Sequence, residues 1–150
     1  MTTHLYVSLD HDDAAQVRAL AKLRSGAGYE IEVHARVLVE AGPAGRGYKV
    51  RPSDPRAAPV KAEICAAFDR CARLVVLIGE TTEAHPWIEW EVRTFYDQKF
   101  PLAGPATWRR VRGMRLKGTR GGDPAALAGR ATVTLDWSPA ALGHWVATEL

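Results

Sequence analysis

Residues 74–79, LVVLIG, are the feature that most restricts the fold, because six residues form an apolar run that ends in a glycine. A strand buried on both faces shows such an unbroken run, whereas a strand exposed on one face alternates apolar and polar residues. Strand-like and helix-like segments alternate along the rest of the chain. This alternation predicts an α/β fold, with a parallel sheet and helices on both of its faces.

The other elements follow from periodicity and from turn residues. Further strands are predicted at 5–9 (LYVSL), at 29–33 (YEIEV, extending as far as Val39), at 111–116 and at 131–137. Helices are predicted at Ala14–Arg24, over the apolar series Val60, Ile64, Ala67, Phe68 and Cys71, from Pro86 to about Lys99, and over Pro139–Leu150. Residues 41–59 contain four prolines and three glycines and are predicted to form a long loop. A chain of 150 residues with this organisation is expected to be a single domain, 1–150.

The composition excludes several classes of protein. No apolar run approaches the roughly 20 residues that a membrane span needs, and the N-terminus lacks the pattern of a secretion signal. We therefore expect a cytoplasmic protein with no membrane partner. Cys65 and Cys71 would lie about 9 Å apart along one helix, too far for a disulfide. No two histidines stand at ligand spacing, so no metal site is expected, and the glycine-rich phosphate-binding motifs are absent.

A basic stretch runs from Lys99 to Arg120, with seven Lys or Arg residues and no acid. Such a stretch could contact the phosphates of a nucleotide or a nucleic acid. A solvated loop and strand edge is the favoured interpretation. Beyond Trp108 no aromatic residue interleaves the basic run, so nucleic-acid binding is not favoured.

A phosphoacceptor receiver domain has the same alternation of strands and helices. Its acidic pair could be Asp12 and Asp13, directly after the first strand. It would also need an aspartate after the middle strand and a lysine after the last one. This chain has Gly79–Glu80 and Asp136–Trp137 at those positions, which excludes the receiver interpretation.

Glu91 occupies an unusual position on the helix that follows the central strand. At 100° per residue, the inward stripe of this helix consists of Ile88, Val92, Phe95 and Tyr96. Glu91 lies on the flank of that stripe, and Trp87 lies one turn earlier on the same flank. In parallel sheets, ligands bind outside the carboxyl ends of the strands, and this helix starts at that end. The spacing alone favours a simple ion pair of Glu91 with Arg93 or with a basic residue of 109–117.

A catalytic role is the alternative for Glu91. Partial burial raises a carboxylate's pKa, whereas a helix N-terminus lowers it. At the mouth of a cleft we expect the group to be ionised at neutral pH. An ionised carboxylate beside an aromatic face suits a substrate that develops positive charge, such as an oxocarbenium ion.

Three motifs resemble those of TIR-like domains, in particular the TIR-like ThsB proteins of bacterial Thoeris antiphage systems. They are LYVSLDHDD (5–13), with Ser8 and Asp13; LVVLIGETT (74–82); and WIEWEV (87–92). The resemblance covers roughly residues 1–137 and implies a flavodoxin-like central parallel sheet of about five strands. The chain departs from the family in two places. Two residues before the tryptophan, where family members often have serine, it has His85, followed by Pro86. Residues 100–110 resemble an insertion between the helix and the next strand.

The resemblance implies an enzyme that cleaves the nicotinamide–ribose bond of NAD+, which would be a substrate rather than a cofactor. Glu91 then corresponds to the catalytic residue and Trp87 to a residue of the nucleotide site. Ser8, Asp10 and Thr81 are further candidates for substrate binding, each of which could instead cap a helix. The resemblance also implies a phage-derived trigger and a separate effector, activated by a diffusible signal such as a cyclic ADP-ribose. The alternative is a non-catalytic TIR-like scaffold, since many TIR domains self-associate as homo-oligomers.

Overall fold

Five strands form the centre of the structure. The structure is a computed structural model, and it describes residues 2–10, 30–36, 50–80, 82, 85–99, 110–128 and 134–147. The strands are β1 (Thr2–Ser8), β2 (Glu30–Ala35), β3 (Arg73–Ile78), β4 (Val111–Arg115) and β5 (Thr134–Asp136). Each overlaps a predicted strand. β1 starts earlier than predicted, at Thr2, and β2 ends at Ala35. Residues 37–39 of the predicted extension to Val39 lie outside the described residues.

All neighbouring strands are parallel, and their order is β2-β1-β3-β4-β5. This is the flavodoxin-like order, in which the chain first adds a strand on one side of β1 and then crosses to the other side. The predicted α/β fold class is therefore confirmed. The change of direction beside β1 makes the carboxyl end of that strand the expected place for a ligand.

Four helices are described: α1 (Ala58–Arg70), α2 (Pro86–Lys99), α3 (Ala125–Ala128) and α4 (Pro139–Ala147). A short 3-10 helix, Pro55–Ala57, precedes α1, and the Asp54 carboxylate accepts a hydrogen bond from the Arg56 backbone N–H at 2.8 Å. The end of the predicted 41–59 loop is thus helical from Pro55 onward. The predicted helix Ala14–Arg24 and residues 41–49 of that loop lie outside the described residues.

Two apolar layers enclose the sheet, one on each face. The first contains residues of α1, α2 and α3 together with Leu74, Val76 and Ile78 of β3. The second contains Val75 and Leu77 of β3 with residues of α4. Successive side chains of a strand point to opposite faces, so β3 contributes to both layers. This explains why residues 74–78 are all apolar: every residue of the strand is buried. The one charged residue, Arg73 at the start of the strand, donates a hydrogen bond to the Val146 carbonyl at 3.0 Å.

The predicted inward stripes of the helices are also observed. Val60, Ile64 and Phe68 of α1 are buried, and the Phe68 ring contacts Tyr6 and Phe95 edge to face. Among the described helices, none combines the length and apolar character needed to cross a membrane. Cys65 and Cys71 are not joined by a disulfide.

A close backbone approach joins the segments that follow β3 and β4. A Cβ atom at Gly121 would lie 1.8 Å from the carbonyl oxygen of Gly79, so only glycine fits there. The neighbouring Arg120 N–H donates a hydrogen bond to the Glu80 carboxylate at 3.1 Å. Gly118, by contrast, has open space around it but a φ of +79°.

We predict that Gly121→Ala lowers the free energy of unfolding by about 3 kcal/mol or more, because the added methyl group meets backbone that cannot rotate away. Gly118→Ala is the matched comparison, since its cost is the left-handed backbone alone, about 1–2 kcal/mol. Urea unfolding of both variants measures the difference. Equal losses in the two variants would contradict the close approach.

Candidate functional site

Glu91 lies in a wholly buried polar cluster at the carboxyl end of β1. Its side chain is 0% exposed. The Tyr6 hydroxyl donates a hydrogen bond to Oε2, and the Ser8 hydroxyl donates one to Oε1 at 3.1 Å. Tyr6 and Ser8 are two residues apart on β1 and therefore share one face of the sheet. Helix α2 covers that face, which places Glu91 directly against both hydroxyl groups.

Arg36 supplies the positive charge that faces this carboxylate. It follows β2 directly, and the pairing of Val7 with Ala35 places it next to Ser8. Its Nε lies 3.6 Å from Glu91 Oε1, and its Nη2 donates to the Leu9 carbonyl at 3.0 Å. Both side chains are buried. Removing one partner of such a pair would leave an uncompensated charge in the interior, which is strongly destabilising.

Trp87 joins the cluster through Arg36. The guanidinium carbon of Arg36 lies 5.6 Å from the centroid of the Trp87 ring, within the range of a cation–π interaction. The indole N–H donates to the Val50 carbonyl at 2.8 Å, and Trp90 contacts the ring edge to face. The guanidinium thus interacts with both members of the predicted Trp–Glu pair. We call Tyr6, Ser8, Arg36, Trp87 and Glu91 the Glu91 site.

Complete burial determines the electrostatics of the site. Burial raises the pKa of Glu91 above its ordinary value of 4.5, although Arg36 and the hydroxyl groups of Tyr6 and Ser8 act in the opposite direction. Burial and the charge of Glu91 also raise the pKa of Tyr6, so that residue remains a neutral hydrogen-bond donor. The predicted position at an open cleft mouth is wrong, because the carboxylate is fully covered. The charge state of Glu91 at neutral pH stays a prediction.

Asp10 and His85 form a second polar contact beside the Glu91 site. His85 Nε2 lies 3.8 Å from Asp10 Oδ2, and the Trp87 backbone N–H donates to His85 Nδ1 at 3.2 Å. Because Nδ1 accepts, the hydrogen of the neutral ring belongs on Nε2, facing Asp10. Burial, and then the charge of Arg36, lower the pKa of His85, while Asp10 raises it. His85 therefore caps the start of α2, where the resembled family often has serine.

Thr82 closes the turn after β3, next to the substrate-binding candidate Thr81. Thr81 lies outside the described residues. The next residue, Thr82, is buried; its hydroxyl accepts a hydrogen bond from the Gly79 N–H at 2.8 Å and donates one to the Leu77 carbonyl at 3.3 Å. Thr82 thus fixes the turn between β3 and α2.

The ion pair expected for Glu91, with Arg93 or a basic residue of 109–117, differs from the one in the structure. Glu91 contacts Arg36, and it is Glu89 that lies 3.3 Å from Arg93, at i,i+4 spacing on the exposed side of α2. In the basic stretch, the Arg112 guanidinium packs over Trp145 at 5.1 Å, and Arg115 lies 3.7 Å from Asp123. These basic side chains have partners within the fold.

Sequence reasoning missed two residues of the Glu91 site, Tyr6 and Arg36. Tyr6 could have been found, since strand alternation places it on the same face as Ser8. Arg36 could not, because its position depends on where β2 ends and how it pairs with β1. A separate group, His4, Glu32 and His34, is the one set of described side chains close enough to hold a metal ion.

We predict that burial of Glu91 makes stability depend on pH in a specific direction. As pH rises above 4.5, the unfolded chain loses the Glu91 proton before the folded protein does, so the wild type becomes less stable relative to Glu91→Gln. Urea unfolding of both proteins, at pH values on each side of 4.5, measures this difference. A difference that is constant, or that changes in the opposite sense, would refute a raised pKa.

A comparison with known protein families identifies the family to which the chain belongs. Residues 6–110, which are 105 of the 150 residues, match the family described as Thoeris protein ThsB, TIR-like domain. That range contains every residue of the Glu91 site. None of the curated proteins compared with the chain matches it. The chain therefore belongs to the TIR-like domain family of the Thoeris protein ThsB.

Proposed function

We propose that this protein cleaves the nicotinamide–ribose bond of NAD+ and converts the ADP-ribose part into a cyclic or otherwise derived signal. In antiphage defence that signal would activate a separate effector. The observation that carries the proposal is the Glu91 carboxylate, buried at the carboxyl end of β1 beside the switch in strand order. Carboxylates with shifted pKa values are concentrated at functional sites, because burying one is costly.

The chemistry follows from what the Glu91 site can stabilise. Nicotinamide is a good leaving group, so bond cleavage needs no general acid. As the bond breaks, the ribose develops the positive charge of an oxocarbenium ion, which a nearby carboxylate stabilises. In this mechanism Glu91 contacts the ribose hydroxyls, and Tyr6 and Ser8 hold its carboxylate in position. Water or a hydroxyl of the same molecule then captures the ion.

Arg36 supports this assignment because it is itself a planar cation between the carboxylate and the indole of Trp87. The pyridinium ring of NAD+ is also a planar cation, for which an aromatic face and a carboxylate are suitable neighbours. Since Glu91 is fully buried, substrate can reach it only after covering groups have moved. In our proposal Arg36 is among the groups that leave, and a phage-derived trigger favours that opening.

A second candidate function is a non-catalytic TIR-like scaffold. It is favoured by the same complete burial, because Glu91 already has two hydroxyl donors and a guanidinium as partners. In a scaffold, the carboxylate held in this way would fix α2 against β1 and β2 and would take part in no reaction. Turnover of NAD+ separates the two candidates.

We predict that Glu91→Gln lowers nicotinamide release by about a hundredfold or more, because the amide cannot supply the negative charge at the ribose. The full chain is incubated with NAD+, with and without lysate from phage-infected cells, and its products are measured by mass spectrometry. Glu89→Gln is the matched control, since Glu89 lies on the same helix and pairs with Arg93 instead. Hydrolysis gives a product that is heavier than a cyclic ADP-ribose by the mass of one water, so the mass distinguishes hydrolysis from cyclisation.

The outcomes distinguish the candidates. Equal release by Glu91→Gln and the wild type would remove Glu91 from the mechanism. If the triggered wild type released no nicotinamide, the scaffold function would be favoured. Circular dichroism of each variant establishes that the substitution leaves the fold intact.

A further inference from the structure

Two histidines and a glutamate meet on the edge strand β2 and its neighbour β1, and His4 is far in sequence from the other two. The register of β1 and β2 pairs His4 with Glu32 and Tyr6 with His34. His4, Glu32 and His34 therefore project from the same face of the sheet. His4 Nδ1 lies 2.9 Å from His34 Nε2 and 3.6 Å from Glu32 Oε2, and His34 Nε2 lies 3.9 Å from Glu32 Oε1.

These separations fit a metal ion of the size of zinc. Tetrahedral zinc, with bonds of about 2.0–2.1 Å, places its ligand atoms roughly 3.3 Å apart. The separations of His4 Nδ1 from His34 Nε2 and from Glu32 Oε2 lie on either side of that value. The third separation involves the other carboxylate oxygen, Oε1, so a rotation of the Glu32 carboxylate would bring one oxygen toward both rings. In the hydrogen bond between His4 Nδ1 and His34 Nε2, one of the two nitrogens carries the hydrogen. When both nitrogens bind a metal, that hydrogen would have to move to the other nitrogen of the same ring.

The donor set and its exposure also suit a bound metal. Two imidazoles and one carboxylate are ligands that zinc and related dications accept, with a fourth position left for water. The Glu32 side chain is 55% exposed and that of His4 is 29% exposed, so an ion can approach from solvent. His34, at 14% exposed, forms the inner side of the group.

We propose that His4, Glu32 and His34 bind a transition-metal dication of the zinc class. The ion would link the edge strand β2 to β1 through side chains, in addition to the backbone hydrogen bonds that already join the two strands. His34 precedes Arg36 by two residues on the same side of the strand. A metal ion there holds in place the end of β2 that carries Arg36 into the Glu91 site. The proposal is independent of NAD+ turnover.

The test uses the full chain without an affinity tag, stripped of metal with a chelator. Titration with Zn²⁺ by calorimetry, and with Co²⁺ by visible absorbance, is expected to show one ion per chain. Glu32→Gln should weaken binding by about tenfold or more, and the double variant His4→Gln/His34→Gln should abolish it. His144 is an exposed histidine on α4. The variant His144→Gln is therefore the control, and it should bind zinc like the wild type.

Thermal unfolding provides a second readout, because an ion that binds the folded state raises the melting temperature. Zn²⁺ should raise it for the wild type and for His144→Gln, and should leave the double variant unchanged. The proposal is overturned if the wild type binds no zinc. It is also overturned if the double variant binds zinc as the wild type does, since other groups such as the thiols of Cys65 and Cys71 would then be the ligands. If the double variant does not fold, Glu32→Gln still tests the proposal, because Glu32 is exposed and its substitution should leave the fold intact.

Discussion

The contact between Glu91 and its partners is the interaction on which the rest of the site depends. A carboxylate with no exposed surface is tolerated only when donors and a counter-charge surround it. Tyr6 and Ser8 come from β1, and Arg36 comes from the end of β2. Helix α2 can therefore lie against the sheet in the observed way only if β1 and β2 keep their register. The buried carboxylate thus couples the first two strands to the helix after β3.

The elements that sequence analysis predicted well are those whose signals are local. The apolar run of β3 and the helical spacing of Val60, Ile64 and Phe68 depend only on which faces are buried. The Glu91 site depends on register, and for that reason it was predicted only in part. Ser8 donates a hydrogen bond to Glu91, and Arg36 lies near both Glu91 and Trp87. Arg36 becomes visible only once the pairing of β1 and β2 is known. The same holds for His4 and His34, which no sequence spacing connects.

The proposed chemistry and the observed closure are compatible if the site opens. In the closed arrangement, the Arg36 side chain lies 3.6 Å from the Glu91 carboxyl group, and its guanidinium carbon lies 5.6 Å from the centre of the Trp87 ring. An enzyme that consumes NAD+, an abundant metabolite, would benefit from such closure in the absence of infection. The residues that close the site would then be the ones that a trigger acts on. His85, which caps α2 and faces Asp10, lies at the same end of the sheet.

A crystal structure of the full chain with an unreactive NAD+ analogue tests the central claim most directly. Our account predicts that the nicotinamide-bearing ribose contacts the Glu91 carboxylate and that the Arg36–Glu91 contact is broken. A ring of the analogue should also lie against the indole of Trp87. The contradicting result is an analogue bound elsewhere, with Glu91 still enclosed by Tyr6, Ser8 and Arg36. In that case the buried carboxylate would serve the fold alone.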